Sequence, residues 1–364
     1  MDDNYTGSVL NTLATYKNII DQAIAVAFND YEAYWKSQKT SLYSMEALGY
    51  LREFSTRPGK RLRGALAWYI YQALANKPKD QTGINLAVAM ELIQNYFLII
   101  DDVVDRSAMR RGQPAVHVLY SKKYKDATND NHLGNMLAIF IGSLAQHLAN
   151  DVILSCKELP EKITSSLKLL HENVIKTCFG QIDDMLSVYN EKTISKETIY
   201  KIYEAKSSYY TFINPMQIGM AMAGYDDQKI FESIKGFGIP AGIAFQLKDD
   251  LLGMFGDSTE TGKPNIDDLR EGKQTLLVAY TNEMTDKRGR DLLEAALGNQ
   301  TVTAKDHKAV CKIMVACGAK ARVESEAKKA TLAAKKAITN IPIFDKNTKL
   351  FYSGIVDYVI SRTG

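Results

Sequence analysis

The chain has 364 residues, of which 46% are hydrophobic and 24% charged, a composition that is ordinary for a globular protein with a sizeable core. Its 45 basic and 42 acidic residues give a net charge of +3, which is too balanced to indicate a nucleic-acid-binding protein or attraction to an anionic membrane. The four cysteines form no CxxC pair, so we expect no zinc site but buried thiols in a reducing compartment.

The N-terminal sequence MDDNYTGSVL is acidic and polar, which is not typical of a secretory signal. We find no uninterrupted run of about 18 apolar residues, the length needed to span a bilayer. We therefore expect a cytoplasmic protein without a transmembrane segment.

Apolar residues recur at three- and four-residue spacings in several long segments, and this periodicity predicts helices. These segments are 84–105, 132–156, 162–189 and 229–255. Strand-like alternation bounded by hairpin turns is missing, so we predict an all-α chain of ten or more helices.

Gly, Pro, Arg and Lys concentrate at 106–116 and 256–272, which predicts long loops there. The Ala- and Lys-rich segment 303–340 is typical of a partly solvated helix. No shift in composition marks a domain boundary, which favours a single domain over residues 1–364.

A first aspartate cluster, Asp101, Asp102 and Asp105, follows a strongly apolar helical run. Asp101 and Asp105 are four residues apart and share a helix face, so their charges repel each other unless a cation lies between them. The alternative is a solvated helix end, but acidic residues are unfavourable near a helix C-terminus. The pattern favours a cation site, and oxygen ligands of this kind suit Mg²⁺ bound together with substrate phosphates.

A second aspartate cluster, Asp249 and Asp250, ends another apolar run. The residue four positions after Asp249 is Gly253, so we expect a weaker metal site there and expect an aspartate to be tolerated at position 253. Taken alone, a solvated acidic pair is an equally good interpretation. Antiparallel helices could bring the two clusters face to face across a cavity.

Basic residues lie close to both clusters in the sequence. RPGKRLRG places three cations at a predicted helix start, where phosphate binds readily, although a basic surface turn fits equally well. Two adjacent arginines follow the first cluster and suggest bidentate phosphate contacts, whereas a lone lysine is more often a surface residue. The candidates are Lys60, Arg61, Arg63, Arg110, Arg111, Lys206, Lys263 and Lys273. A diphosphate with a hydrocarbon tail would explain acids, bases and apolar helices together.

The motifs DDVVDRSAMRRGQP and FQLKDDLLGMFGD resemble the two aspartate-rich motifs of the trans-isoprenyl diphosphate synthases, short-chain type. RPGKRLRG, GQIDD, KSSYY and TGKP…DLREGKQTLL also match, in the family's order, from about residue 55 to about residue 280. The resemblance implies an isoprenoid-synthase-type helical bundle around a deep central cavity, usually as a homodimer. It also implies Mg²⁺-dependent head-to-tail condensation of isopentenyl diphosphate with a dimethylallyl, geranyl or farnesyl diphosphate.

The resemblance also implies roles for individual residues. Three Mg²⁺ ions would be held by Asp101, Asp105 and Asp249. Isopentenyl diphosphate would be bound by Lys60, Arg63, Gln94 and Arg111. The allylic diphosphate would be bound by Arg110, Lys206, Ser207, Gln246, Lys263 and Lys273. Catalysis would depend on Asp101, Asp102, Asp105, Arg110, Lys206, Asp249 and Asp250, with Gln181 and Asp184 supporting them.

Product length is expected to depend on Tyr96 and Phe97. Phe97 lies one turn before Asp101 and on its face, whereas Tyr96 is turned about 140° further round an ideal helix. In the family, aromatic residues at both positions are associated with short products, which favours farnesyl diphosphate. The KDDLLG form of the second motif also resembles that of bacterial geranylgeranyl diphosphate synthases, so geranylgeranyl diphosphate is nearly as strong a candidate.

Two other interpretations stay open at the level of sequence. A class I terpene cyclase would share the fold and the first motif, but RPGKRLRG and the KDD form of the second motif argue against it. A non-catalytic partner subunit would share the fold alone, but such proteins tend to lose aspartates or basic ligands that this chain keeps.

Overall fold

The computed structural model describes residues 3–128, 130–190, 194–256 and 265–362. Within these ranges the chain is helical apart from one pair of two-residue strands, and the all-α prediction is confirmed. The helices are α1 (Asp3–Ser37), α2 (Leu42–Thr56), α3 (Leu62–Leu74), α4 (Asp80–Val104), α5 (Val116–Lys123), α6 (His132–Leu154), α7 (Pro160–Asn190), α8 (Lys196–Tyr203), α9 (Asn214–Ala223), α10 (Gln228–Phe255), α11 (Asp267–Glu271), α12 (Leu276–Met284), α13 (Lys287–Ala296), α14 (Ala304–Ala316), α15 (Ala319–Thr339) and α16 (Lys346–Ser361).

The four segments with helical periodicity correspond to α4, α6, α7 and α10. The segment 303–340 is not one helix but two, because Gly318 adopts a left-handed conformation with φ of 87° between α14 and α15. Part of the expected loop 256–272 forms the short helix α11, and residues 257–264 of that loop lie outside the described part of the chain.

The expected loop 106–116 contains a small hairpin. Strands β1 (Met109–Arg110) and β2 (Gln113–Pro114) pair antiparallel. Arg111 and Gly112 connect them with φ of 53° and 73°, and positive φ at both central residues is the mark of the two-residue turn that suits the twist of a hairpin. The hairpin fixes the direction in which both arginines leave the backbone.

By compactness the chain divides into two units. The N-terminal unit comprises Leu10–Lys168 and Pro215–Asp226, and the C-terminal unit comprises Met1–Val9, Leu169–Asn214 and Asp227–Gly364. The single domain expected from the sequence stays a prediction.

The N-terminal unit is built around α4. This helix packs against α2, α3, α5 and α6, and its apolar residues Leu86, Met90 and Ile93 are buried. Gly64 of α3 lies so close to α4 that a Cβ there would be 2.8 Å from the Ala87 carbonyl oxygen. The close packing holds the end of α4, and with it the first aspartate cluster, in a fixed place.

The C-terminal unit is built around α10. This helix packs against α15, α16 and the π-helical segment Glu204–Ile213, which joins α8 to α9. Its core includes Leu247, Leu276, Met314 and Val323, contributed by α10, α12, α14 and α15. The second aspartate cluster lies on α10, so the same core supports it.

Two described helices, α4 and α6, are long and apolar enough to cross a membrane by length and composition. The absence of a transmembrane segment, expected from the sequence, stays a prediction. In α4, 61% of the most apolar window is buried within the protein, and in α6 the share is 44%. The core helix of a protein that never enters a membrane has the same composition, so these two helices are weak evidence for a span.

All four cysteines are free thiols. Cys156 is buried, as expected, whereas Cys178, Cys311 and Cys317 are only partly buried. Burial raises the pKa of the Cys156 and Cys311 thiols to about 11 each, so both are protonated at neutral pH.

Candidate active site

The first aspartate cluster occupies the last turn of α4. Asp101 and Asp102 are helical, Asp105 caps the helix, and the Asp105 amide donates a hydrogen bond of 2.8 Å to the Asp101 carbonyl. The expected spacing of one turn between Asp101 and Asp105 is therefore kept. The Asp102 side chain is buried, whereas Asp101 and Asp105 are partly exposed, so these two can meet a ligand from solvent.

Arg110 of the hairpin lies across this cluster. Its Nε donates to Asp102 Oδ1 at 2.7 Å, and its Nη2 lies 3.3 Å from Asp101 Oδ2. Burial by itself would lower the pKa of Arg110, but the charges of Asp102 and Asp101 outweigh it and raise the pKa above its ordinary value. A fixed cation at these carboxylates shows that the site favours positive charge.

Arg57 anchors the hairpin, and sequence reasoning missed it. Its guanidinium donates to the carbonyl oxygens of Arg110 at 3.2 Å and Pro114 at 2.9 Å, and it pairs with Glu53 at 2.7 Å. Arg57 precedes the turn in RPGKRLRG, so its position in that motif was the available signal. It holds the hairpin and acts on Arg110 only through the backbone.

Arg61, which was grouped with the phosphate-binding candidates, is a core residue. It is 2% exposed, adopts a left-handed conformation with φ of 49°, and pairs with Asp21 at 2.6 Å and Glu91 at 3.4 Å. It also donates to the carbonyl oxygens of Ser55 and Arg57. A guanidinium so completely engaged holds the start of α3 and is not available to a substrate.

The other two candidates of RPGKRLRG differ in exposure. Lys60 is exposed, whereas Arg63, in the first turn of α3, is buried at 8% exposure. A Cβ on Gly59 would lie 3.3 Å from the Arg111 guanidinium. The structure therefore brings together the Lys60 loop and Arg111, both expected at the isopentenyl diphosphate site.

Three further candidates project from α4 before the aspartates. Gln94, Tyr96 and Phe97 are all partly buried. The two rings are in contact, with centroids 4.8 Å apart and planes tilted by 53°. They form a continuous aromatic surface one turn from Asp101.

In the second cluster the two aspartates have different surroundings. Asp250 is buried; it accepts hydrogen bonds from the Tyr203 hydroxyl and, at 2.8 Å, from Gln246 Nε2. Gln246 in turn accepts one from the Ser207 hydroxyl. Burial raises the pKa of Asp250 to about 7, with the hydrogen bonds from Tyr203 and Gln246 opposing the rise. Asp250 thus orders Gln246 and Ser207, two residues expected at the allylic site.

Asp249 faces outward, with a side chain that is 40% exposed, and it forms an ion pair with Arg362 near the end of the chain. The Arg362 guanidinium also lies 4.0 Å over the Phe245 ring and donates to the Phe245 carbonyl at 3.2 Å. Sequence reasoning missed Arg362, and no local pattern links two residues that are 113 positions apart.

Asp268 of α11 occupies the space beside Gly253. A Cβ on Gly253 would lie 1.9 Å from Asp268 Oδ2, so a side chain at position 253 requires that carboxylate to move, and tolerance of an aspartate there stays a prediction. Lys273 lies 3.3 Å from Asp268 Oδ1 and 2.6 Å from Glu271. The second cluster therefore receives a carboxylate from another helix, which the sequence did not reveal.

Lys206 lies in the π-helical segment and pairs with Asp184 of α7 at 2.6 Å. Asp184 of GQIDD, which the resemblance implied as a supporting group, therefore contacts Lys206. Gly180 of the same motif permits the contact, because a Cβ there would lie 2.5 Å from the Lys206 amide nitrogen. Gln181 is partly buried on α7. Lys263 lies outside the described residues.

The carboxylates present fit magnesium that binds together with the substrate. Within the described ranges, no group of three or more His, Cys, Asp or Glu is arranged to hold a metal ion by itself. Mg²⁺ commonly binds through one or two carboxylates together with water and substrate phosphates, and Asp101, Asp105 and Asp249 supply hard oxygen ligands of that kind. An arginine already lies at each cluster, so cation binding is a property of both.

A family model described as Polyprenyl synthetase matches residues 46–314. The chain belongs to this family. Its members are trans-prenyltransferases, and the prediction of an isoprenyl diphosphate synthase is confirmed. The match includes both aspartate clusters, the RPGKRLRG loop and the GQIDD motif.

Among its polyprenyl synthetase relatives, the geranylfarnesyl diphosphate synthase of Aeropyrum pernix is 31% identical over 309 residues, which cover 84% of this chain and 90% of the relative. The (2E,6E)-farnesyl diphosphate synthase of Mycobacterium tuberculosis is 28% identical over 315 residues, which cover 85% of this chain and 82% of the relative. A crystal structure of the geranylgeranyl pyrophosphate synthase of Corynebacterium glutamicum, complexed with isoprenyl diphosphate and magnesium, matches with a TM-score of 0.88 at 24% identity. That match covers 96% of this chain and 99% of the other.

Proposed function

We propose that this synthase condenses isopentenyl diphosphate with an allylic diphosphate to give mainly farnesyl diphosphate. The observation that carries the product assignment is the contact between the Tyr96 and Phe97 rings on α4, one turn before Asp101. An allylic tail extending from that aspartate along α4 would meet bulky aromatic groups early. Relatives of this chain are named for farnesyl, geranylgeranyl and geranylfarnesyl products, so geranylgeranyl diphosphate is the second candidate.

We assign the two diphosphates to different groups of side chains. Lys60, Arg63, Gln94 and Arg111 bind isopentenyl diphosphate, and the contact between Gly59 and Arg111 supports this grouping. The allylic diphosphate is bound by Arg110, Lys206, Ser207, Gln246, Lys263 and Lys273. Charge-assisted contacts of this kind are among the strong hydrogen bonds of proteins.

Three magnesium ions are proposed to bind with the substrates, at Asp101, Asp105 and Asp249. Bound magnesium would supply charge neutralisation for the departing diphosphate. Arg110 and Lys206 hold that leaving group in place, while Asp102 and Asp184 orient these two cations. No side chain acts as a nucleophile, because the double bond of isopentenyl diphosphate attacks the allylic carbon and the lost proton passes to the released pyrophosphate.

We also propose that the synthase is a cytoplasmic homodimer. Five large apolar residues of α7 are exposed at alternating spacings of four and three residues, which is the repeat of helices that pack against a partner helix. They are Ile175, Phe179, Ile182, Leu186 and Tyr189. Gel filtration with light scattering tests this: I182E/L186E should shift the protein to monomer. L332E, which changes an even more exposed leucine on α15, should leave the mass unchanged.

Product length is tested by enlarging the space along α4. The synthase is incubated with isopentenyl and dimethylallyl diphosphates, and the dephosphorylated products are separated by chromatography. Wild type should give mainly farnesol. Y96A/F97S should lengthen the product, and F97S should contribute more than Y96A because Phe97 shares the Asp101 face. An unchanged product distribution in the folded double variant would show that other residues limit the chain.

A further inference from the structure

A cavity that includes none of the residues assigned to the substrates lies beside the loop that follows α4. Its volume is about 740 Å³, and three cations line it: Arg106 from the loop, and Lys122 and Lys125 at the end of α5. In the part of the chain that the structure describes, none of the three forms an ion pair. Three clustered cations without a carboxylate partner leave an excess of positive potential at this surface.

Two buried polar groups of the cavity wall have unmet hydrogen-bonding capacity. His117 is 8% exposed, and among the described residues its Nδ1 has no hydrogen-bond partner. One turn later on α5, the buried Ser121 Oγ also has none within that part of the chain. Leaving such groups unpaired costs free energy, so an unpaired pair in one wall points to a ligand. Burial lowers the pKa of His117, so at neutral pH its ring is uncharged and can donate one hydrogen bond.

The N-terminus of α6 completes the cavity. Asn131, the N-cap of this 23-residue helix, makes no side-chain capping bond, and both Asn131 and Asn135 line the cavity. Helix N-termini favour anions. Asp130 also lines the cavity, and its Oδ1 accepts a hydrogen bond of 2.9 Å from the His132 amide. Against the three cations, this one acid leaves a net charge of +2 on the described lining residues, with His117 uncharged.

We propose that this cavity is an anion site that binds the phosphate or diphosphate group of a soluble phosphorylated molecule. Lysine and arginine provide charge-assisted donors, the asparagines and Ser121 provide neutral donors, and His117 gains the partner it lacks. The volume is within the range of small-molecule sites.

A ligand in this cavity would act on the first aspartate cluster through the backbone. Val103 and Arg106 line the cavity and lie on either side of Asp105 in the sequence. Arg106 adopts a left-handed conformation with φ of 53°, which is rare for a residue with a side chain and needs support from its surroundings. An anion held by the Arg106 guanidinium supplies that support and fixes the turn that carries Asp105.

The test uses the imidazole resonances of the protein as a local probe. The chain has five histidines, and H117Q identifies the signal of His117. Inorganic pyrophosphate is titrated into ¹⁵N-labelled protein in EDTA, without substrates, and the His117 Nδ1 resonance is followed. In wild type it should move and saturate. In K122Q/K125Q the apparent dissociation constant should rise at least about tenfold, because two charge-assisted contacts are lost.

K123Q is the matched control, since Lys123 lies on the same helix but pairs with Glu46 and does not line the cavity. It should titrate like wild type. An immobile His117 resonance in wild type would overturn the proposal, and so would an equal response in K122Q/K125Q, because the shift would then arise at the substrate site. Sedimentation with phosphatidylglycerol vesicles tests whether the phosphate of a lipid headgroup binds here instead of a soluble phosphate. Binding to vesicles without any response to free pyrophosphate would overturn the assignment to a soluble ligand.

Discussion

Replacing Gly253 with alanine tests the packing of the second aspartate cluster when its effect on stability is compared with that of the same change elsewhere on α10. In the interior of a helix, Gly→Ala ordinarily stabilises a protein by about 0.5–1 kcal/mol. Gly236 lies on the same helix, α10, and a Cβ there would meet nothing within 4 Å. G236A is therefore the matched control, and we expect it to raise the melting temperature.

At position 253 the same methyl group would lie 1.9 Å from Asp268 Oδ2, so the carboxylate must move. Moving it weakens the pair with Lys273, which is 3.3 Å long with both side chains 26% exposed, at a cost of about 0.5–1 kcal/mol. The group that must move is the end of a partly exposed side chain and not backbone, so this cost is about equal to the gain in helix propensity. We expect G253A to be near neutral and therefore about 0.5–1 kcal/mol less stable than G236A.

Scanning calorimetry in EDTA measures this difference. Because unfolding entropy is about 2.1 cal/mol/K per residue, 1 kcal/mol shifts the melting temperature of a 364-residue protein by about 1–1.5 °C, and G253A should melt about 1 °C below G236A. In the D268A background the clash is gone, and G253A should become stabilising. The reasoning would be refuted if G253A raised the melting temperature as much as G236A does.

D101A/D105A should abolish turnover while circular dichroism stays helical, since the i, i+4 pair supplies the proposed metal ligands; near-normal turnover in the folded variant would contradict the assignment. K60A should raise the Michaelis constant for isopentenyl diphosphate about tenfold to a hundredfold but leave that for the allylic substrate unchanged, and equal effects would argue against separate sites. R362Q should strengthen Mn²⁺ binding in the presence of pyrophosphate, read by electron paramagnetic resonance, because it frees Asp249. R322Q, on α15, is the control, and weaker Mn²⁺ binding to R362Q would mean that Arg362 supports the ion.

Periodicity sufficed for the long helices because each buries one continuous apolar face. The helix α4 and the one-turn spacing of Asp101 and Asp105 follow from local sequence alone. Gly318 shows the limit: one glycine in an Ala- and Lys-rich segment costs a helix little, so its left-handed conformation depends on how α14 and α15 pack. The hairpin likewise could not be predicted from the sequence, because it depends on the positive φ angles of Arg111 and Gly112.

The candidate site was predictable where a motif is contiguous and not where partners are distant. Arg61 looks like its neighbours Lys60 and Arg63 in the sequence, but Asp21 and Glu91 draw it into the core. The sequence shows a missing carboxylate at Gly253, and only the fold shows Asp268 in that space.

The π-helical segment Glu204–Ile213 has a consequence for changes in chain length. A wider helical turn contains one more residue than an α-helical turn, so deleting one residue would let the segment relax to a regular α-helix. In a regular α-helix, which has about 3.6 residues per turn, the loss of one residue rotates everything beyond it by about 100°, but a wide turn gives up its extra residue without that rotation. Tyr203 would therefore still face Asp250 after the deletion. This stretch should accept the loss of one residue more readily than a regular helix would.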